Sequence, residues 1–390
     1  MADSDYRGTT VLVRADLNVP LRAGRVDDDF RIEAALPAIR TLRDAGARVV
    51  VCSHLGRPAG PDPEWSMRPV GERLAELGGF AVAVAADVAG PDATRLAAGG
   101  GDEVVLLENT RFEPGETKND PGLSDRLAAL ADSFVMDAFG SAHRAHSSTV
   151  GVAERLPSAA GPLLLAEVEA FERILGDVAR PFVVVLGGAK VSDKLGVVAA
   201  LLPRVDAMLV GGAMCFTLLA ARGITTGASP VETDKVAEVG RLLDSADGRR
   251  IVLPSDLVVA DRFAADSAHR VVAVDRVPDA GLCLDIGPAT ATRFAETLAG
   301  AATVFWNGPM GVFEMEPFAA GTRRVAEAVA SSSGYTVVGG GDSVAALRQM
   351  GMDATVSHLS TGGGAGLELI ENGSLPGVEV LRRMGRDGGP

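Results

Sequence analysis

Short, almost wholly apolar runs alternate along the chain with longer stretches in which apolar residues return every three or four positions. The runs predict strands over 10–16, 48–53, 81–86, 103–108 and 133–137, then over 182–186, 207–210, 250–253, 283–286, 303–306, 335–338 and 355–357. Intervening segments such as 31–44, 124–131, 162–175 and 321–330 are rich in Ala, Leu, Arg and Glu and predict helices. Strands this apolar, separated by helices, indicate parallel sheets covered on both faces. A dozen of them exceed the usual size of one sheet, and 390 residues exceed the usual size of one domain. The expected fold is α/β, with two doubly wound, Rossmann-like parallel-sheet domains.

The junction is expected over 162–180. There Leu163, Leu164, Leu165, Val168, Phe171, Ile174 and Leu175 form one helical stripe, punctuated by Gly176 and Pro181. This suits a rigid helix joining two domains around a central cleft, and it also suits an ordinary covering helix of one domain. The expected division is 1–165, a joining helix 166–180, 181–370, and a segment 371–390 returning to the first domain. Residues Arg382 to Pro390 read as a loose tail.

Composition narrows the class. Hydrophobic residues make up 47%, which argues against a largely disordered chain. The formal charge of −14 disfavours nucleic acid and anionic membrane as partners. No apolar run approaches the roughly 20 residues of a membrane span. The opening Met-Ala-Asp-Ser-Asp lacks the basic-then-apolar order of a signal peptide. Cys52, Cys215 and Cys283 have no metal-ligand spacing and lie in apolar stretches, as buried thiols in a reducing compartment would. A cytoplasmic protein is expected.

The basic residues are lopsided. Of 37, only four are lysine: Lys118, Lys190, Lys194 and Lys235. Two of these fall within Gly-Gly-Ala-Lys190-Val-Ser-Asp-Lys194. Either arginine has drifted in elsewhere, or lysine is kept where a compact ammonium is needed at a phosphate.

Most unusual residues follow the carboxyl ends of the expected strands, the edge where open α/β sheets bind ligands. In the first half these ends read Arg14-Ala-Asp16-Leu17-Asn18, Ser53-His54-Leu55-Gly56-Arg57, Glu108-Asn109-Thr110-Arg111 and Asp137 through His143-Arg144-Ala-His146. Guanidinium forks match phosphate and carboxylate oxygens. The set reads as a bowl for a small polyanion, with a structural salt-bridge network as the other reading. In the second half the ends turn to glycine, at 187–188, 211–212, 308–311, 339–341 and 362–364. Glycine lets a backbone approach a ligand, and Asp342 or Ser343 would N-cap a helix over 344–350 ended by Gly351, a phosphate cradle. The loops and paired lysines point to a nucleotide. There is no Gly-Lys-Ser/Thr loop and no complete Gly-x-Gly-x-x-Gly, so neither a P-loop nor a standard dinucleotide fingerprint is present.

Taken in order, six segments resemble phosphoglycerate kinase over nearly the whole chain. They are Val13-Arg-Ala-Asp-Leu-Asn-Val-Pro20, Ser53-His-Leu-Gly-Arg-Pro58, the run from Asp137 to Ser148, Gly187-Gly-Ala-Lys-Val-Ser-Asp-Lys194, the run from Trp306 to Glu314, and Gly339-Gly-Gly-Asp-Ser343. The resemblance implies 3-phosphoglycerate or 1,3-bisphosphoglycerate on the first domain and ADP or ATP with Mg2+ on the second, in a normally monomeric enzyme. It implies substrate contacts from Asp16, Leu17, Asn18, Arg31, His54, Leu55, Gly56, Arg57, Arg111 and Arg144. Nucleotide contacts would come from Lys194, Glu314, Gly340, Gly341, Asp342 and Ser343, with Asp342 on the metal. Arg31 and Lys190 would lie beside the phosphoryl group in flight. Ligands on facing domains imply closure of the cleft when both are bound. Ala15 and Leu17 replace the family's more usual Val and Phe. Cys283 stands near the adenosine pocket where bacterial members often carry Gly, and Gly366 where Ser is usual, both bearing on base selectivity. Without the resemblance, the residues leave open a dehydrogenase or other nucleotide-binding α/β enzyme acting on a small phosphorylated acid, and a non-catalytic anion-binding module.

Overall fold

The computed structural model describes residues 6–101 and 103–386. It divides into two compact units, one running through Glu169 and resumed from Asn372, the other Ala170–Glu371. The division falls inside the helix Pro162–Leu175.

The first unit is built on a six-stranded parallel sheet. Its spatial order is Val82–Val84, Val104–Leu106, Arg48–Cys52, Thr10–Ala15, Ser133–Asp137, Ser158–Ala160. The central strands are buried on both faces, which is why they read as unbroken apolar runs. One core cluster joins the sheet to the helices Phe30–Asp44 and Arg68–Gly78 through Val11, Val13, Ile32, Ile39, Val51 and Leu74. The direction of strand addition reverses between Thr10–Ala15 and Ser133–Asp137, and a crevice opens at such a switch point. The helix Pro376–Arg386 packs on this unit against Ser158–Ala160 and Phe139–Ala142, and Arg383 pairs with Glu154 at 2.6 Å. The expected loose tail is therefore helical as far as Arg386, and its last four positions lie outside the described residues.

The second unit repeats the plan, in the order Ile251–Val252, Ala207–Val210, Phe182–Leu186, Thr303–Asn307, Tyr335–Gly339, His358–Leu359. All neighbours are parallel, and the switch lies between Phe182–Leu186 and Thr303–Asn307. Two strand expectations are corrected. The run 283–286 belongs to a separate antiparallel sheet, where Asp256–Ala260 is flanked by His269–Ala273 and Leu282–Ile286. The segment 355–357 is not a strand: a 3-10 turn at Asp353–Thr355 precedes the edge strand His358–Leu359.

Candidate functional site

In the first unit, loops after four strands are tied together by side chains. Leu17 N donates to Ser53 Oγ at 2.9 Å, Gly56 N to Asn18 Oδ1 at 2.8 Å and Leu55 N to Asn109 Oδ1 at 3.1 Å. Asn109 Nδ2 donates back to the carbonyls of Leu55 and Trp65. Gly56 has φ +61°, and a Cβ there would lie 2.0 Å from the Trp65 ring, so only glycine turns this corner.

Beneath this rim lies Arg14, fully buried. Its guanidinium donates to Ser148 Oγ at 2.9 Å, to Ser141 Oγ at 3.2 Å, to the Ala15 carbonyl and to His54 Nδ1 at 3.0 Å. Arginine can only donate, so His54 Nδ1 accepts and its proton sits on Nε2. Burial, then Arg14, Arg111 and Arg31, hold His54 well below the usual histidine range. It is a neutral Nε2–H donor at pH 7. The buried counter-charge is Glu116, whose oxygens accept from Ser148 N at 3.0 Å and Ser148 Oγ at 2.5 Å, with His146 Nδ1 3.7 Å away. Burial opposes ionisation of Glu116, but the nearby His146, the charge of Arg14 and the bond from Ser148 together hold its carboxyl below the ordinary range.

Arg31, Arg57, Arg111 and Arg144 are at least partly exposed. Arg31 donates to Asp16 Oδ1 at 3.2 Å and to the Asn18 carbonyl at 2.9 Å. Burial lowers Arg111 from its ordinary value, and the charges of Arg14, Arg57 and Arg144 add to the effect, so these three lie near it, while Arg31 and Arg111 both act on His54. Arg111 Nη1 donates to the Gly56 carbonyl, while its buried Nε has no protein partner. The bowl is thus assembled, with one change: Arg14 is its post rather than part of its face. Leu17 and Leu55 turn their side chains into the core, so they shape the rim through backbone.

The second unit holds its loops backbone to backbone. A Cβ at Gly187 would lie 2.1 Å from the Pro309 carbonyl oxygen; one at Gly212, φ +63°, would lie 2.5 Å from Gly188 N. These glycines serve loop-to-loop contact, and Gly212 also lines the cavity beside the loops. Ser343 Oγ accepts from Gly308 N at 2.5 Å, and Trp306 Nε1 donates to the Gly308 carbonyl. The helix Gly341–Gln349 is N-capped by Gly340, φ +87°, not by the expected Asp342 or Ser343, which sit in its first turn. A Cβ at Gly341 would meet no protein atom.

Beside these loops is a cavity of about 460 Å³, lined mostly by apolar groups, among them Cys215, Leu257, Phe263, Cys283 and Met310, with Glu314 and Asp342 at exposed positions. Lys194 is buried at the sheet's switch point, its Nζ on Asn307 Oδ1. Burial lowers it to about 8, opposed by the charges of Asp193 and Asp342. Lys190 is exposed on the same loop.

The phosphoglycerate kinase family model matches residues 1–373. A phosphoglycerate kinase of Frankia casuarinae is 58% identical, covering 97% of this chain and 98% of the relative, and one of Rubrobacter xylanophilus is 54% identical, covering 97% of each. The chain belongs to the phosphoglycerate kinase family. Solved structures of phosphoglycerate kinase from Coxiella burnetii and Pyrococcus horikoshii align with TM-scores of 0.86 and 0.87, at 39% and 33% identity, each covering 98% of both chains. The activity is that of a glycolytic phosphotransferase with a carboxyl acceptor, using ADP and ATP.

For a phosphoglycerate kinase, wall residues that the sequence did not single out include Phe263, exposed in the loop before His269–Ala273, and Asp285. Burial raises the Asp285 carboxyl to about 7, and it accepts from Ile286 N at 2.9 Å and Gly321 N at 2.7 Å. Its place in an Asp-Ile-Gly-Pro turn was the available signal. Cys283 lines the kinase's cavity, but Gly366 does not. A Cβ at Gly366 would lie 2.3 Å from the Phe171 ring, so that departure is a matter of packing.

Proposed function

We propose that the bowl of the first unit binds the phosphate and carboxylate of 3-phosphoglycerate or 1,3-bisphosphoglycerate, and that the cavity of the second binds the nucleoside of ADP or ATP. Arg57, Arg111, Arg144 and the Nε2–H of His54 supply donors to the anion, with Asp16 and Asn18 at the glycerate hydroxyl and Leu17, Leu55 and Gly56 as the rim. Glu314 faces the ribose, while Lys194, Gly340, Gly341 and Ser343 surround the nucleotide phosphates. The observation that carries the nucleotide assignment is an apolar cavity with the exposed carboxylate of Asp342 in its wall, on the unit whose switch point holds the buried ammonium of Lys194 against Asn307. Among the described residues no three His, Cys, Asp or Glu side chains gather into a metal cage. A lone carboxylate fits Mg2+ that arrives on the nucleotide phosphates, held by Asp342 and neutralising phosphate charge there.

An acyl phosphate has a good leaving group, so the chain has no need of a nucleophile or a general base. Its task is to align donor and acceptor and to spread positive charge over the equatorial oxygens. Lys190 and Arg31 are assigned to that role. Reaction across ligands held on separate units requires the reacting atoms about 3–3.5 Å apart with water excluded, hence closure when both are bound. Three free buried cysteines support a reducing cytoplasm, and no helix among the described residues is long and apolar enough to cross a membrane. A monomer is proposed. The test is a coupled assay: purified protein with 1,3-bisphosphoglycerate and Mg-ADP forms ATP, and a folded protein that forms none refutes the reading.

A further inference from the structure

The loop that carries both lysines, 190–194, is held from outside by one side chain. Glu232 Oε2 accepts from Val191 N at 2.6 Å and from Ser192 N at 3.2 Å, and its Oε1 accepts from Ser192 Oγ at 2.5 Å. Burial works against the Glu232 anion, yet these bonds and the charge of Lys190 hold its carboxyl below the usual range. Glu232 is itself placed precisely, because its N donates to Thr217 Oγ1 at 3.1 Å on the helix Met214–Ala221. The segment leading to it is anchored on the nucleoside cavity. Ala228 N donates to the Gly281 carbonyl at 2.9 Å, and Ser229 Oγ accepts from Cys283 N, a cavity-wall residue, at 2.9 Å. At Gly227, φ +61°, a Cβ would lie 2.4 Å from the Pro278 carbonyl oxygen and 2.5 Å from that of Gly281, so the segment lies close against this backbone. A strap from 226 to 232 thus runs from the cavity wall to the lysine loop and ends in a carboxylate that grips two consecutive backbone N–H groups.

We infer that Glu232 is a positioning residue for phosphoryl transfer, fixing the 190–194 loop so that Lys190 and Lys194 meet the transferring phosphates. The inference rests on the proposed phosphate-binding role of those lysines. Glu232 is not among the residues lining the cavity, and it acts by removing freedom from the loop. Charge-assisted bonds to backbone N–H are the strong kind, and misplacing a catalytic group by about 1 Å costs on the order of 100-fold in rate.

The test compares Glu232→Ala, Glu232→Gln and Thr217→Val with the wild type for kcat, for binding of ADP, adenosine and 3-phosphoglycerate, and for Tm. In Glu232→Ala, kcat is expected to fall about 10- to 100-fold. ADP should weaken several-fold, while adenosine, which reaches the cavity but not the lysines, and 3-phosphoglycerate keep wild-type affinity. Glu232→Gln, which can accept N–H bonds through one oxygen, falls between. Thr217→Val, at a position outside the cavity lining, repeats the pattern in weaker form and serves if Glu232→Ala fails to fold. A structural role alone would lower Tm and leave the ratio of ADP to adenosine affinity unchanged. Folded variants with wild-type kcat and wild-type ADP affinity overturn the inference and leave the site assignment standing. A wild-type protein that neither binds ADP nor turns over overturns the assignment and the inference with it.

Discussion

The strand ends of the first unit present side chains, and those of the second present backbone. In the first, guanidinium groups stand on a rim laced by Ser53, Asn109 and Asn18, with Arg14 buried below and balanced by Glu116. In the second, glycines at 187, 212 and 308 let three loops touch main chain to main chain, and few of the residues lining the cavity are charged. The two designs suit different ligands. A small, highly charged acid has little apolar surface, so its recognition falls to paired, directional donors. A nucleoside offers an apolar face, so a shaped cavity does most of the binding and a few charges deal with its phosphates.

Breaking the comparison should give graded effects. The largest is expected at Lys190, assigned to the reaction rather than to either ligand's ground state. Lys190→Ala should lower kcat on the order of 10²- to 10³-fold with a much smaller rise in KM. Steady-state kinetics beside Lys235→Ala check this, because the Lys235 side chain pairs with Glu238 and does not line the cavity, so its loss should cost little.

Next come the two ligand sites, which should fail independently. Arg57→Ala or Arg144→Ala should weaken 3-phosphoglycerate by about 10- to 100-fold, as expected for loss of a charge-assisted donor. Calorimetry should find ADP unaffected, and loss of ADP binding in a folded Arg57→Ala protein would put the sites in the wrong units.

A smaller effect separates the units by pH. Lys194 titrates near 8 in the free protein because it is buried. A phosphate beside it favours the charged form and raises that value. ADP affinity should therefore be greatest below pH 8 and fall as pH rises past it, with proton uptake on binding, by up to about tenfold per unit. His54 is neutral throughout this range, so 3-phosphoglycerate binding should show no matching step. Titrations in buffers of different ionisation enthalpy count the protons. The smallest effect distinguishes kinds of glycine. Gly341→Ala meets no protein atom and should leave Tm nearly unchanged, whereas Gly212→Ala collides with Gly188 and should cost stability of about 1–3 kcal/mol.

What the sequence made legible follows from what each element buries. Central parallel strands such as Phe182–Leu186 are apolar on every residue and declare themselves. The edge strand Ser158–Ala160 has no such signature, and His269–Ala273 lies mostly exposed, so neither stood out. The site's residue types were readable because Arg, His and paired Lys are rare at strand ends. Their division of labour was not. Arg14 is set apart from Arg57 by partners that include Ser141 and Ser148, more than a hundred residues away, and Gly212 from Gly341 by its positive φ and the loop that presses on it.

Hydrogen–deuterium exchange with each ligand alone tests the division of labour most directly. With 3-phosphoglycerate, protection should appear in 16–18, 54–57, 109–112 and 141–146 and leave the loops of the second unit unchanged. With Mg-ADP it should appear in 188–194, 211–215, 308–315 and 340–343 and leave the arginine rim unchanged. Protection of the 340–343 loop by 3-phosphoglycerate alone, or of the 54–57 loop by Mg-ADP alone, would contradict the account.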